Sequence, residues 1–180
     1  MPQINLHLGC GGMNLEGWVN IDLYEYDPAD TSRDGAAYDV KMDIRQLDVP
    51  DGSVANILLV HVVEHFVRWE TIEMLEHYYT KLAKGGRIII EMPDFDRIIE
   101  WYLAGDDAKQ MHTPIGKRNM GLTQFYGNQW SKIDFETHRY VWTQEEFRSV
   151  LKDIGFTKIQ ISNEAHFHER DRDMFVVAEK

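Results

Sequence analysis

Leu6-His7-Leu8-Gly9-Cys10-Gly11-Gly12 decides how this chain folds. A short apolar strand runs into a glycine cluster, where the backbone can approach a ligand closely and offer its amides. Only ten residues then separate Gly11 from Asp22, through Gly12-Met13-Asn14-Leu15-Glu16-Gly17-Trp18-Val19-Asn20-Ile21. The spacing leaves room for a loop between two strands and not for a full helix.

Outward from this stretch, strands and helices alternate. Ile4–Leu8, Trp18–Leu23 and Val40–Ile44 are expected strands, and Ala55–Val60 is apolar enough for a central one. Arg68 to Lys84 carries Ile72, Leu75, Tyr79 and Leu82 at helical spacing, with Gly85-Gly86 as the expected stop. Arg87–Met92 is a buried strand, and Pro93-Asp94 breaks it. Asp94 is placed to cap a helix over Phe95–Leu103. Thr143-Gln144-Glu145-Glu146 is a capping box that opens a helix with Phe147, Val150, Leu151 and Ile154 inward and Gly155 at its end. Strands over Thr157–Ser162 and Asp173–Ala178 close the chain. This order predicts an α/β fold with a mostly parallel sheet. Residues 1–180 are expected to form a single domain. Ala104 to Val141 shows no period and is too long for an ordinary connection, which marks it as an irregular insertion, a lid or substrate cover.

The chain has 180 residues and a net charge of −11, from 30 acidic and 19 basic residues. That field repels polyanions and speaks against a broad nucleic-acid surface or an anionic membrane. Cys10 stands alone, so no internal disulfide forms. The first residues lack a basic segment followed by an apolar one, and Val54 to Val63 is too short to span a bilayer. A cytoplasmic protein is expected.

In open parallel sheets ligands bind beyond the carboxyl ends of the strands. Those ends carry Gly9-Cys10-Gly11-Gly12, Asp22, Asp43, His61 and Pro93-Asp94 in order. An aspartate after the second strand can accept both hydroxyls of a ribose, and one after the third can accept from an exocyclic amine such as that of adenine. Taken singly, the glycines could simply turn the chain and the aspartates could cap helices. A dinucleotide fingerprint is not met, because Asn14 stands where its last glycine belongs and Asp22 follows about twice too soon. No lysine follows the glycines, which excludes the common phosphate loop.

The set LHLGCGG, NIDL, KMDI, HVVEHF and LAKGGRIIIEMPDF resembles class I S-adenosylmethionine-dependent methyltransferases. Within them, the chain resembles the small type 11-like group whose first helix is shortened to a loop, and HRYVWTQEEFRSVLKDIGF is similar to that group's closing part. The resemblance covers roughly residues 4–92 and 138–180. It implies a Rossmann-like, doubly wound, seven-stranded sheet with an antiparallel last strand, and S-adenosyl-L-methionine as cofactor. It further implies that Gly9, Cys10 and Gly11 line the methionine and ribose, that Asp22 holds the ribose hydroxyls, that Asp43 and Ile44 bind adenine, and that His61 lies beside the cofactor.

Methyl transfer requires mainly the alignment of an attacking atom with the S–CH3 bond. A hydroxyl acceptor gains from a base, and histidine suits that task. His138 and His65 are the candidate bases, with Tyr126, Trp130 and Tyr140 shaping the acceptor pocket. Glu64-His65 has a structural alternative, fixing the start of the next helix. His61-Val62-Val63-Glu64-His65 matches the inverted zinc motif H-x-x-E-H, but it abuts a strand and so no metal is expected. His166-Phe167-His168 is expected in a solvated turn, as is the sign-alternating run from Glu169 to Asp173. The favoured function is methylation of a small-molecule or sugar-like acceptor, through oxygen, with a homodimer compatible with it. The alternatives are a non-catalytic cofactor-binding partner protein and an RNA methyltransferase, the latter supported by Lys109, Lys117 and Arg118.

Overall fold

The computed structural model describes residues 3–23, 38–104, 110–113, 116–127, 129, 132–168 and 172–180. Seven strands form one sheet: β1 (Ile4–Leu8), β2 (Val19–Asp22), β3 (Val40–Lys41), β4 (Val54–Val60), β5 (Leu82–Pro93), β8 (Thr157–Ser162) and β9 (Asp173–Glu179). Their spatial order is β3-β2-β1-β4-β5-β9-β8. The first five pair in parallel, and β9 enters antiparallel between β5 and β8. The chain therefore has the expected Rossmann-like sheet, with its last strand reversed.

The centre of the sheet is its most apolar part, because β4 and β5 are covered on both faces. Leu6, Leu8, Ile57, Leu59, Ile88 and Ile90 are all but fully buried. They belong to one core with Leu75 and Tyr78 of helix α1 (Arg68–Lys81) and Phe147 and Leu151 of helix α4 (Gln144–Ile154). Burying each of these large side chains contributes about 1.5–3 kcal/mol before entropy. The caps read from the sequence are present. Thr143 accepts from Glu146 N at 3.1 Å, and Gly155 ends α4 in the left-handed region. Asp94 accepts from Asp96 N at 3.1 Å and caps helix α2 (Phe95–Leu103).

Gly85 and Gly86 behave differently from expectation. Helix α1 stops at Lys81, and both glycines lie inside the span of β5. A Cβ on Gly86 would meet the carbonyl oxygens of Ala83, Ala55 and Val54 at 2.9–3.0 Å. Gly86 thus serves close strand contact at an irregularity in the β4–β5 register, and Gly85 supplies a left-handed residue with φ of 76°; neither terminates the helix.

The insertion is more ordered than its sequence suggests. It holds a hairpin of β6 (Gln110–Thr113) and β7 (Gly116–Asn119), helix α3 (Met120–Tyr126) and a 3-10 turn over Asp134–Glu136. Phe125 of α3 meets Phe95 of α2 edge to face, with centroids 5.7 Å apart. No described helix is long and apolar enough to cross a membrane.

Candidate active site

The loop after β1 contains no helix. Gly9 N and Cys10 N donate back to Ile21 O at 2.8 and 3.2 Å, which folds the loop onto β2. Asn20 locks it. Its side chain accepts from Leu15 N at 2.9 Å and donates to Leu15 O, Trp18 O and Asp39 Oδ2. His7 Nδ1 stands 3.2 Å from Asn20 Oδ1. Burial holds the His7 pKa below its ordinary value, against the opposing pull of Asn20. Sequence reading passed over Asn20; its signal was a small polar residue inside an otherwise apolar strand.

Gly9 and Gly11 both take positive φ, at 64° and 54°. A Cβ on Gly9 would stand 2.7 Å from Val62 Cγ2, whereas one on Gly11 would meet nothing within 4 Å. The Gly11 position thus borders open space. Asp22 Oδ2 accepts from Gly11 N at 2.8 Å and Oδ1 from Leu23 N at 2.7 Å, so the carboxylate is held at the loop's edge.

Gly9, Gly11, Asp22, Asp43, Ile44, His61 and His65 all line one cavity of about 350 Å³. This is at the small end of the range for ligand pockets. The wall opposite comes from the insertion, through Asp134, Phe135, Glu136 and Arg139. Cys10 is buried and is not part of the lining. Burial, then the charge of Asp22, pushes its thiol pKa up to about 12. Asp43 is held bidentately by Arg45, with contacts of 2.6–3.0 Å, and this pairing lowers its pKa. Arg45 was not anticipated, though a cation two residues after a rim aspartate was visible in the sequence.

His65 and His138 come together across a long sequence separation. Their rings meet edge to face with centroids 5.0 Å apart. His65 Nδ1 stands 3.3 Å from Thr137 O, and His138 Nδ1 stands 2.5 Å from Gln124 O. A carbonyl oxygen only accepts, so both Nδ1 atoms carry the proton and both Nε2 atoms carry a lone pair. Only His65 reaches the cavity wall; His138 stands behind it. Burial lowers the His138 pKa. The two segments are tied by Arg139 N donating to Glu64 O at 2.7 Å.

Glu64, between His61 and His65, is 1% exposed. Its Oε1 lies 2.8 Å from His61 Nδ1, and neither carboxylate oxygen has an aligned hydrogen bond among the described residues. On its other side His61 Nε2 lies 2.9 Å from Asp173 Oδ2. Burial alone would lower the His61 pKa, but Glu64 and Asp173 outweigh it and hold it above the ordinary value. The same pairing keeps Glu64 low against its burial. His61 thus lines the cavity with φ of 52°, its Nδ1 on Glu64 and its Nε2 between Asp173 Oδ2 and Arg172 Nη2.

The expected aromatic wall is replaced. Tyr140 packs on Trp142 at 4.7 Å and donates to the Glu146 carboxylate, while Tyr126 is largely exposed. Neither lines the cavity; Phe66 and Phe135 do. Trp130 lies outside the described residues, as does Lys109. Residues 166–168 are not a free solvated turn. Their three amides donate to the buried Glu91 carboxylate at 2.6–3.2 Å. Residues 169–171 of the charged run lie outside the described residues.

Residues 6–161 match the family model described as a methyltransferase domain. The chain belongs to this methyltransferase family. The enzyme is therefore a transferase, with S-adenosylmethionine as its cofactor. Solved structures share its fold at low identity. One is a SAM-dependent methyltransferase from Archaeoglobus fulgidus, 17% identical, with a TM-score of 0.62 over 99% of this chain and 86% of that one. Another is the 1,6-didemethyltoxoflavin-N1-methyltransferase of Burkholderia thailandensis, bound to its substrate and S-adenosylhomocysteine. It is 15% identical, with a TM-score of 0.58 over 99% and 71% of the two chains. The methyltransferase has no match among curated protein sequences.

The cavity's residues fit that cofactor. Gly11 leaves an open cradle, Asp22 stands beside it with fixed orientation, and the five acids of the lining, Asp22, Asp43, Glu70, Asp134 and Glu136, outnumber its two arginines, Arg45 and Arg139, which suits a cationic sulfonium.

Proposed function

We propose that the protein methylates a hydroxyl of a small-molecule or sugar-like acceptor. The observation that carries this is the single cavity, which brings the glycine loop, Asp22 and Asp43 onto the same space as His65. Gly9 and Gly11 would receive the methionine and ribose portion, Asp22 the ribose hydroxyls, and Asp43 and Ile44 the adenine. Cys10 would contribute its backbone and not its buried thiol. His61 would stand beside the cofactor, held by Glu64, Asp173 and Arg172. Arg45 would share Asp43 with the adenine amine. The bound cofactor supplies an electrophilic methyl group on its sulfonium.

His65 is the base that meets the acceptor, because its unprotonated Nε2 belongs to a side chain on the cavity wall. His138 orients it from behind. The acceptor oxygen would take that methyl group, and the neutral thioether S-adenosylhomocysteine would be the other product. The hydroxyl proton passes to His65 Nε2. Such a base contributes about 10²–10⁴-fold. Segment 104–141 acts as the cover, since four of its residues already form one wall.

The test is a panel of hydroxylated sugars, phenols and amines, with S-adenosylhomocysteine release as the readout. Turnover with hydroxyl acceptors, lost in His65→Ala, is expected. Turnover with amines alone would overturn oxygen as the attacked atom. A non-catalytic role would show as cofactor binding without turnover on any acceptor.

A further inference from the structure

We propose that Glu64, His65 and His138 form a binding site for one divalent transition-metal cation at the edge of the cavity. The ligand atoms of these three side chains all lie within 4.8 Å of one another. Zinc takes nitrogen and oxygen ligands at about 2.0–2.2 Å in tetrahedral geometry, which puts ligand atoms about 3.3 Å apart.

Three independent features point to a cation here. First, Glu64 is a buried carboxylate without an aligned donor on either oxygen; its one close partner is the ion pair with His61. A charge held this way is costly to bury, and a metal ion would satisfy it. Second, both histidines have Nδ1–H fixed on a backbone carbonyl, Thr137 O for His65 and Gln124 O for His138. This second-sphere arrangement orients Nε2 of a metal-bound imidazole. Third, the segments that carry the ligands are already clamped, through Arg139 N and Tyr140 N on Glu64 O. The ligands therefore need little further ordering.

His61 is not one of the ligands, although it completes the H-x-x-E-H sequence. Its two nitrogens face Glu64 and Asp173, and its ring stacks near His168 at 4.3 Å. Neighbouring Glu91 is likewise excluded, since three amides already fill its oxygens. The motif thus contributes Glu64 and His65, and the third ligand comes from the insertion. That is why the inverted-zinc pattern misleads when read along the sequence alone.

Two imidazoles and one carboxylate with an open position suit zinc or a neighbouring transition metal over magnesium. The role of the site rests on the methyl-transfer reading. A cation held here would bind the acceptor oxygen and lower its pKa, so that its proton leaves to solvent before the oxygen attacks the methyl carbon. In the metal-loaded protein His65 and His138 would be ligands, and the proton transfer to His65 described above would belong to the metal-free protein.

The test is zinc(II) titration by calorimetry of chelator-stripped, full-length protein, with magnesium(II) as competitor and S-adenosylhomocysteine binding measured on the same samples. One zinc per chain is expected. Affinity should fall at least about 100-fold in Glu64→Gln and in His138→Ala, stay unchanged in His166→Ala, and resist a large magnesium excess. If a variant fails to fold by circular dichroism, the cobalt(II)-loaded wild type still decides, through a visible spectrum of nitrogen and oxygen coordination. No stoichiometric zinc, or equal affinity in all folded variants, would overturn the site. Cofactor-product binding without zinc would remove the cation and leave the methyltransferase reading intact. Zinc without cofactor-product binding would do the reverse.

Discussion

Glu91 and Glu64 are both buried carboxylates near the same end of the sheet, yet they live in opposite surroundings. Glu91 has its oxygens filled by the amides of residues 166–168, while Glu64 has only an imidazole ion pair and two further histidines nearby. Asp22 falls between them, with one bond to Gly11 N, one to Leu23 N, and a place on the cavity wall. The difference teaches that burial alone does not separate structural acids from functional ones. What separates them is whether the backbone has already used their lone pairs.

The comparison can be broken most directly by stability. Glu91→Ala should cost about 3 kcal/mol, since it removes a buried carboxylate that accepts from three backbone amides. Glu64→Gln, in metal-free protein, should cost less than Glu91→Ala, because its amide oxygen can still accept from His61 Nδ1. Urea denaturation of both variants checks this, and equal losses would dissolve the distinction. Next in size, Asp22→Ala should weaken S-adenosylmethionine binding by about 10–100-fold while leaving the urea midpoint nearly unchanged. A large stability loss with unchanged affinity would move Asp22 into the class of Glu91.

A smaller effect is expected at the loop that stands in for the first helix. Asn20→Ala removes the side chain that joins Leu15, Trp18 and Asp39, and should cost about 1–2 kcal/mol by denaturation. The smallest effect concerns His7. Its folded pKa lies below the unfolded value, so the unfolded chain takes up the proton first as pH falls. The stability it contributes is complete above the ordinary histidine pKa of about 6.5 and is lost as pH falls below it. Denaturation midpoints from pH 7.5 to 5.5 should therefore drop slightly less in His7→Asn than in wild type. An identical profile would show that His7 is protonated equally in both states.

The rim of the cavity was legible because it is local. Gly9, Gly11, Asp22 and Asp43 sit at the ends of consecutive parallel strands, and chain order alone delivers them to one edge. The caps at Asp94 and Thr143 were legible for the same reason. What sequence could not show are partnerships across long separations. Glu91 looked like one polar residue in RIIIEMP, and nothing nearby announced amides 75 to 77 residues on. Tyr140 looked like a pocket residue until Trp142 and Glu146 claimed it. Gly85-Gly86 matched a helix stop, but close contact between β4 and β5 was the stronger constraint.

The central claim is that the glycine loop, Asp22, Asp43 and His65 share one cofactor cavity. Calorimetric titration of the unmodified protein with S-adenosylhomocysteine tests it most directly. One molecule bound per chain, displaced by S-adenosylmethionine and lost in Gly11→Val, is the predicted result. Absence of binding, or full binding in Gly11→Val, would contradict it.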